Sequence, residues 1–169
     1  LGETFDIHGG GVDNIFPHHE NEIAQSEASS GKKFVNIWLH CHHLIRDAEK
    51  MSKSRGNTIT IPEILKIKNN PMALRLLLLS THYRKTLNFT FEALDQAETA
   101  LARINEFAGE IRYGLYPEGE TPQVVRILAE SELRFRAGLS DDLNISKAMT
   151  ALFGLIKKVN ILITEAKIK

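Results

Sequence analysis

The stretch that decides the fold is residues 8–22, His8-Gly-Gly-Gly-Val-Asp-Asn-Ile-Phe-Pro-His-His-Glu-Asn-Glu22. Glycines add no side chain to a core and lose much backbone entropy on ordering, so the run predicts a loop that approaches a ligand or turns sharply. Phe5–Ile7 predicts the end of a buried strand, and Pro17 suits the first turn of a helix over about Pro17–Ala28. Strand, glycine loop and helix indicate an α/β ligand site at the carboxyl end of a strand.

Two side chains on this helix are candidate metal ligands. His18 and Glu22 are four residues apart, so they share one face. An imidazole and a carboxylate so placed can bind one Zn²⁺. His19 lies on the neighbouring stripe and is the poorer candidate. On its own, the His18–Glu22 pair is explained more readily as a helix end with surface histidines and with acids near the positive pole of the helix. Two ligands also do not complete a zinc site.

A second motif, Lys50-Met-Ser-Lys-Ser54, follows in the chain. Lysine ammonium groups three residues apart, with hydroxyls between them, can surround a polyphosphate, and Gly56-Asn57 is predicted to close the loop. The alternative is a solvated basic loop. The cluster His40–His43 invites a metal interpretation, but adjacent strand residues point to opposite faces, so at most two of the four converge.

Composition excludes several classes of protein. The 169 residues carry 21 basic and 21 acidic side chains, so the chain as a whole is not a basic nucleic-acid binder, although a local basic patch is possible. The single cysteine, Cys41, excludes an internal disulfide and a cysteine-rich zinc module. The longest apolar run, Leu76–Leu79, is too short to span a membrane. We therefore expect a cytoplasmic protein, and a start on Leu beside a functional loop indicates a fragment.

The periodicity of apolar residues changes along the chain. Val35–Ile45 predicts two strand pieces or one bent strand, whereas spacings of three and four predominate after Ile61. These spacings predict short helices over Pro62–Lys66 and Met72–Thr81, then three amphipathic helices over 94–111, 124–139 and 145–166. Amphipathic helices bury their apolar stripes against one another, so the last three predict a bundle. The fold class is therefore α/β followed by all-α.

Residues 5–22, with Lys50–Asn57 downstream, resemble the cysteinyl-tRNA synthetase family, as do Ser80–Arg84 and Asp141–Asn144. The resemblance covers nearly the whole chain. It implies the C-terminal part of a Rossmann-type class I catalytic domain at 1–57, a stem-contact-like helical connector at 58–89, and a DALR-like, tRNA-binding bundle at 90–169.

The implied activity is that of a cysteine–tRNA ligase. ATP activates cysteine to cysteinyl adenylate, and the cysteine is then transferred to tRNA(Cys). In the family a zinc ion binds the substrate thiolate through two cysteines, one histidine and one glutamate. His18 and Glu22 match the last two, whereas the cysteines belong to segments before residue 1 and Cys41 stands at neither position.

The resemblance also implies roles for four further residues. His8 and Asp13 match residues that line the cysteine pocket, with Asp13 facing the substrate amino group. Lys53 matches the lysine that contacts ATP, and Lys50 is its catalytic neighbour. Met72 and Ile145 depart from the family pattern at positions that affect local stability or tRNA docking. Because the first half of the site is missing, we expect this chain alone neither to hold zinc tightly nor to make adenylate.

Two alternatives remain open. A cysteine ligase of the mycothiol type would share both motifs but pass cysteine to an amino sugar. A non-catalytic module that binds RNA or protein would keep the fold alone, although it has no need of all the matched site residues. We expect a monomer with no membrane association.

Overall fold

The structure is a computed structural model with two compact units. The first contains Leu1–Thr58 and Tyr83–Phe89, and the second contains Ile59–His82 and Thr90–Lys169. The stretch 58–89, expected from the sequence to be one connector, is thus divided between the two units. The described residues are 2–51, 56–116, 119 and 121–165.

The first unit is built on two parallel strands, β1 (Phe5–Gly11) and β2 (Val35–Cys41). Phe5 pairs with Val35 at one end and Gly11 with Cys41 at the other. The connection between the strands contains helix α1 (Glu20–Ser30), as parallel strands require a crossover. Successive residues of a strand point to opposite faces of the sheet. The pair His8 and Trp38 lies on one face, and the exposed pair Ile7 and Ile37 lies on the other.

The glycine run is not the predicted loop. Gly9, Gly10 and Gly11 continue strand β1, and none of the three has a positive φ. A Cβ atom on Gly10 would lie 2.6 Å from Cε1 of His19, and one on Gly11 would lie 2.3 Å from Oδ1 of Asp13. Both distances are shorter than packed atoms allow. The glycines therefore permit side chains from the following segment to lie directly on the strand.

Helix α1 begins three residues later than predicted. A 3₁₀ turn over Val12–Asn14 and a π-type turn over Ile15–His19 come first, and Phe16 is extended at φ −133°, ψ 132°. The regular helix starts at Glu20 instead of Pro17. Gly31, at φ 67°, ends it by donating its N–H to the carbonyl of Glu27.

A small second sheet completes the first unit. Strand β3 (Leu44–Arg46) pairs antiparallel with β4 (Glu49–Lys50) and parallel with β5 (Leu87–Phe89). The two predicted strand pieces of 35–45 correspond to β2 and β3. Strands β4 and β5 were not predicted, because runs of two and three residues carry no measurable alternation.

The second unit is helical, as predicted, and four of its five described helices begin at a side-chain cap. Thr60 and Glu63 form a reciprocal capping box, while Asn70, Thr90 and Asn144 each accept a backbone N–H from three residues ahead. The helices are α2 (Ile61–Ile67), α3 (Pro71–Ser80), α4 (Phe91–Tyr113), α5 (Pro122–Ser140) and α6 (Ile145–Thr164).

Apolar stripes of these helices form the core of the second unit. Leu74 and Leu77 of α3 are buried, as is Leu94 of α4, and Ile127 of α5 packs with Val159 and Leu162 of α6. Helices α5 and α6 approach closely at Gly138, where a Cβ atom would lie 2.7 Å from the backbone nitrogen of Ala148. Among the described residues, no helix is long and apolar enough to cross a membrane.

Candidate functional site

The site lies along the carboxyl-terminal half of β1, where His8 lies beside Glu22 of α1. Nε2 of His8 lies 3.1 Å from Oε2 of Glu22, although the orientation does not give a hydrogen bond. This carboxylate oxygen is buried and has no hydrogen-bond partner in the described part of the chain. A buried charged oxygen without a partner costs free energy, so it is well placed to bind a cation or a ligand proton.

His19 is the buried side of the site. Its side chain is only 6% exposed and rests on Gly10, where the absence of a Cβ makes room for the ring. Its Nδ1 lies 2.8 Å from Nε2 of His40 on β2, within hydrogen-bond distance. The ring is also 4.8 Å, centroid to centroid, from that of Trp38. The imidazole is thus oriented from one edge by another imidazole.

Three side chains could hold a metal ion together. His8, His19 and Glu22 each offer a ligand atom, and these atoms lie within 4.8 Å of one another. Tetrahedral Zn²⁺ with bonds of about 2.0–2.1 Å separates its ligand atoms by about 3.3 Å. The His8–Glu22 distance of 3.1 Å is close to this spacing. Nitrogen and oxygen donors suit zinc, so the group fits such an ion.

The predicted pairing of His18 with Glu22 is not seen in this arrangement. His18 is exposed and is not among the three grouped ligands, whereas His19, which the sequence ranked lower, is. The predicted i, i+4 relation requires a regular helix from Pro17, but the backbone before Glu20 is a π-type turn with a different periodicity. The assignment of His18 as a zinc ligand stays a prediction.

His40 is surrounded by groups that disfavour its charged form. Burial lowers its pKa from the ordinary value, and the neighbouring rings of His19 and His8, followed by the Arg84 guanidinium, lower the pKa further. A neutral His40 can both accept and donate at its ring nitrogens, so it can fix the tautomer of His19.

The remaining predicted residues are differently placed. Asp13 is an exposed residue of the 3₁₀ turn after β1, with its carboxylate close to Gly11. Lys50 is exposed at the end of β4, and its carbonyl accepts a hydrogen bond from Nδ2 of Asn57 at 3.1 Å. With Gly56 at φ 64°, this contact confirms that Gly56-Asn57 closes the lysine loop. Lys53 lies outside the described residues.

Sequence reasoning missed His19, Trp38 and His40 as parts of one cluster. A signal was present, because positions 38 and 40 of a strand point to the same side. What the sequence could not supply is the register that sets Trp38 opposite His8 and Gly10 opposite His40.

Two family models match this chain. Residues 1–99 match the model described as tRNA synthetases class I (C) catalytic domain, and residues 134–169 match the DALR domain. The first model covers more than half of the chain, including every residue of the His8–His19–Glu22 group.

Curated relatives agree with these matches. The chain is 49% identical to the Cysteine--tRNA ligase of Protochlamydia amoebophila over 162 residues, which are 96% of this chain and 34% of that protein. It is 48% identical to the Cysteine--tRNA ligase of Brachyspira hyodysenteriae over 162 residues, 95% of this chain and 34% of that protein. The chain thus spans about a third of the length of these relatives.

A solved structure shares the fold at low identity. The LeuRS of Agrobacterium radiobacter K84, crystallised as a ternary complex with tRNA and LeuAMS, superposes with a TM-score of 0.72 at 15% identity. The match covers 93% of this chain and 23% of that chain.

Proposed function

Because this chain belongs to the family of class I (C) tRNA synthetase catalytic domains, we propose that it forms part of the active site of a cysteine–tRNA ligase. The reaction joins cysteine to ATP as cysteinyl adenylate and then transfers it to tRNA(Cys). The observation that carries this proposal is the convergence of His8, His19 and Glu22 beside the carboxyl-terminal half of β1. This is the end of the strand at which α/β folds bind their ligands.

The substrate cysteine would be bound by a zinc ion and by charged side chains at this site. Zinc, when bound, favours a thiolate over a hydroxyl, because a coordinated thiol deprotonates and soft sulfur is a preferred ligand. We assign Glu22 as the carboxylate ligand. The resemblance implies His18 as the imidazole ligand, and His19, which lies beside Glu22, is the alternative. His8, 3.1 Å from Glu22, would line the pocket beside it, and Asp13 would pair with the substrate ammonium group.

ATP would be bound from the lysine loop. Lys50 and Lys53 are assigned to the polyphosphate, where an ammonium group stabilises the charge that develops on the leaving pyrophosphate. The hydrogen bond from Asn57 to the carbonyl of Lys50 supports this assignment, since it holds the two ends of the loop together.

The helical unit would contact tRNA. A groove of about 470 Å³ between α5 and α6 is lined by Arg134, Lys147 and Lys158, with Asp141 as the one acidic side chain in its lining. Basic side chains suit a phosphate backbone. Here Lys147 is paired with Asp141 and Lys158 with Glu130, which among the described residues leaves Arg134. The DALR match overlaps the same helices. A role in protein synthesis would place the protein in the cytoplasm.

The test is a chimera in which this chain replaces the matching third of the Protochlamydia amoebophila Cysteine--tRNA ligase. We expect cysteine-dependent exchange of pyrophosphate into ATP and charging of tRNA(Cys), both lost on Lys53→Ala. Transfer of cysteine to an amino sugar without tRNA charging would favour the mycothiol type of ligase. Retained tRNA binding without any exchange would favour the non-catalytic module.

A further inference from the structure

The turn between β3 and β4 is strained. Its two central residues, Asp47 and Ala48, have φ values of 51° and 64°. Left-handed backbone is unfavourable for residues that carry a Cβ atom, and two-residue hairpin turns of this kind favour Asn-Gly or Asp-Gly. Such strain persists only where the surrounding structure enforces it, and it concentrates at functional sites.

Strand β5 enforces this turn. Oδ1 of Asn88 accepts the N–H of Ala48 at 2.9 Å, and the carbonyl of Phe89 accepts the N–H of Asp47 at 3.2 Å. Both donors of the turn are therefore bound from one neighbouring strand. Only the Asn88 contact comes from a side chain, so it is the one that a substitution can remove without altering the backbone.

The turn determines where the lysine loop begins. Lys50 lies two residues after Ala48, at the end of β4, and its carbonyl accepts the side-chain N–H of Asn57. A change in the direction of the turn would move Lys50 and the base of the loop together. A two-residue strand such as β4 makes too few hydrogen bonds to hold that direction by itself.

We propose that Asn88 is a positioning residue for the polyphosphate site. By holding the strained Asp47-Ala48 turn, it fixes the position of Lys50, which would contact the phosphates of ATP. This inference rests on the proposed function, since it takes the lysine loop to be the ATP contact. Asn88 itself touches no substrate.

The experiment titrates the chimera, in which this chain replaces the matching third of the Protochlamydia amoebophila Cysteine--tRNA ligase, with ATP, and follows the backbone amides of the chain by NMR. In Asn88→Ala we expect faster hydrogen exchange at the Ala48 amide and about fivefold weaker ATP binding, the effect of losing one hydrogen bond. Adding Ala48→Gly should restore ATP affinity in the Asn88→Ala background, because glycine adopts a φ near 64° without a clash. Asn36→Ala, an exposed asparagine of β2, is the matched control and should leave both readouts unchanged.

Each contrary outcome has a separate meaning. If Asn88→Ala leaves ATP affinity unchanged while Lys50→Ala lowers it, the positioning role is wrong and the ATP assignment stands. If Asn88→Ala weakens ATP binding but Ala48→Gly does not rescue it, the effect does not pass through the turn and the proposal is overturned. If the unaltered chimera binds no ATP, the loop assignment fails and takes this inference with it.

Discussion

Nδ1 of His19 lies 2.8 Å from Nε2 of His40, so the two imidazoles share a hydrogen bond in which only one ring can be the donor. Protonating both rings would place two N–H groups face to face. With His40 neutral, its tautomer determines whether a neutral His19 carries its proton on Nδ1 or on Nε2.

The first prediction concerns the pH dependence of His40. Its pKa is lowered, mainly by burial and then by His19 and His8. A histidine whose pKa is lower in the folded state than in the unfolded state contributes stability at pH values above its unfolded-state pKa, about 6.5. This stability is lost as the pH falls through the folded-state pKa. An NMR titration of the imidazole carbons should give a pKa below 6.5. His8→Ala should raise it partly, because the burial contribution remains, and a value above 6.5 in the unaltered chain would contradict this packing.

The second prediction concerns zinc. Calorimetric titration of the chain should show weak binding, and Glu22→Gln should weaken it about tenfold or more. In the isolated chain we expect His19→Ala to lose more affinity than His18→Ala, because His19 lies beside Glu22. The reverse order would support the His18 assignment made from the resemblance. Circular dichroism of each variant checks that the buried His19 position has not unfolded the first unit.

The third prediction uses one substitution at two positions. Ala48→Gly should stabilise the first unit by about 0.5–1 kcal/mol, since it removes the left-handed penalty of about 1–2 kcal/mol at the cost of glycine's unfolded-state entropy. Ala28→Gly, at an exposed position of α1, should destabilise by about 1 kcal/mol. Urea denaturation measures both changes in the free energy of unfolding. If Ala48→Gly were destabilising like Ala28→Gly, the turn would not be strained.

The fourth prediction tests the close approach of α5 and α6. Gly138→Ala should destabilise the second unit by about 1–3 kcal/mol, because its Cβ would meet the backbone of Ala148. Gly154→Ala on α6 has nothing within 4 Å and should stabilise by up to about 1 kcal/mol through helix propensity. Thermal unfolding of the two variants gives the comparison, and a stabilising Gly138→Ala would mean that the helices are further apart.

The fifth prediction concerns Asp141. The Lys147 ammonium, 2.5 Å away, lowers the pKa of this carboxyl first through a hydrogen bond and then through its charge, and Asn144 adds to the shift. The contribution to stability is present above the unfolded pKa, about 3.9, and is lost as the pH falls through the folded value. Asp141→Asn should therefore lower the melting temperature at pH 7 and have a diminishing effect towards pH 3. A constant difference across that range would exclude the pair as its cause.

The helices were largely predictable because each repeats the same three- and four-residue spacing of apolar side chains over several turns. The apolar spacing from Leu94 onward located α4, which Thr90 caps in the structure. The predicted bounds of α5 and α6 differ from the observed ones by one or two residues. Periodicity summed over about twenty residues tolerates individual exceptions.

The site was predictable in composition but not in arrangement. His8 and Glu22 were chosen from the sequence and meet in the structure, although for separate predicted roles. The choice between His18 and His19 depended on where the helix begins, and the π-type turn before Glu20 carries no periodic signal. Likewise, the glycine run could be explained as a loop or as a strand under a ring, and only the position of His19 distinguishes them.

The first unit's parallel pair has a practical consequence for handling the chain. Among the residues that the structure describes, β1 and β2 form a sheet only with each other, so each strand has one edge without a neighbouring strand. Ile7 of β1 and Ile37 of β2 are exposed on one face of this sheet. Such edges recruit further strands. Concentrated stocks should therefore self-associate, and dilute samples, or a fusion that shields these strands, would keep preparations monodisperse.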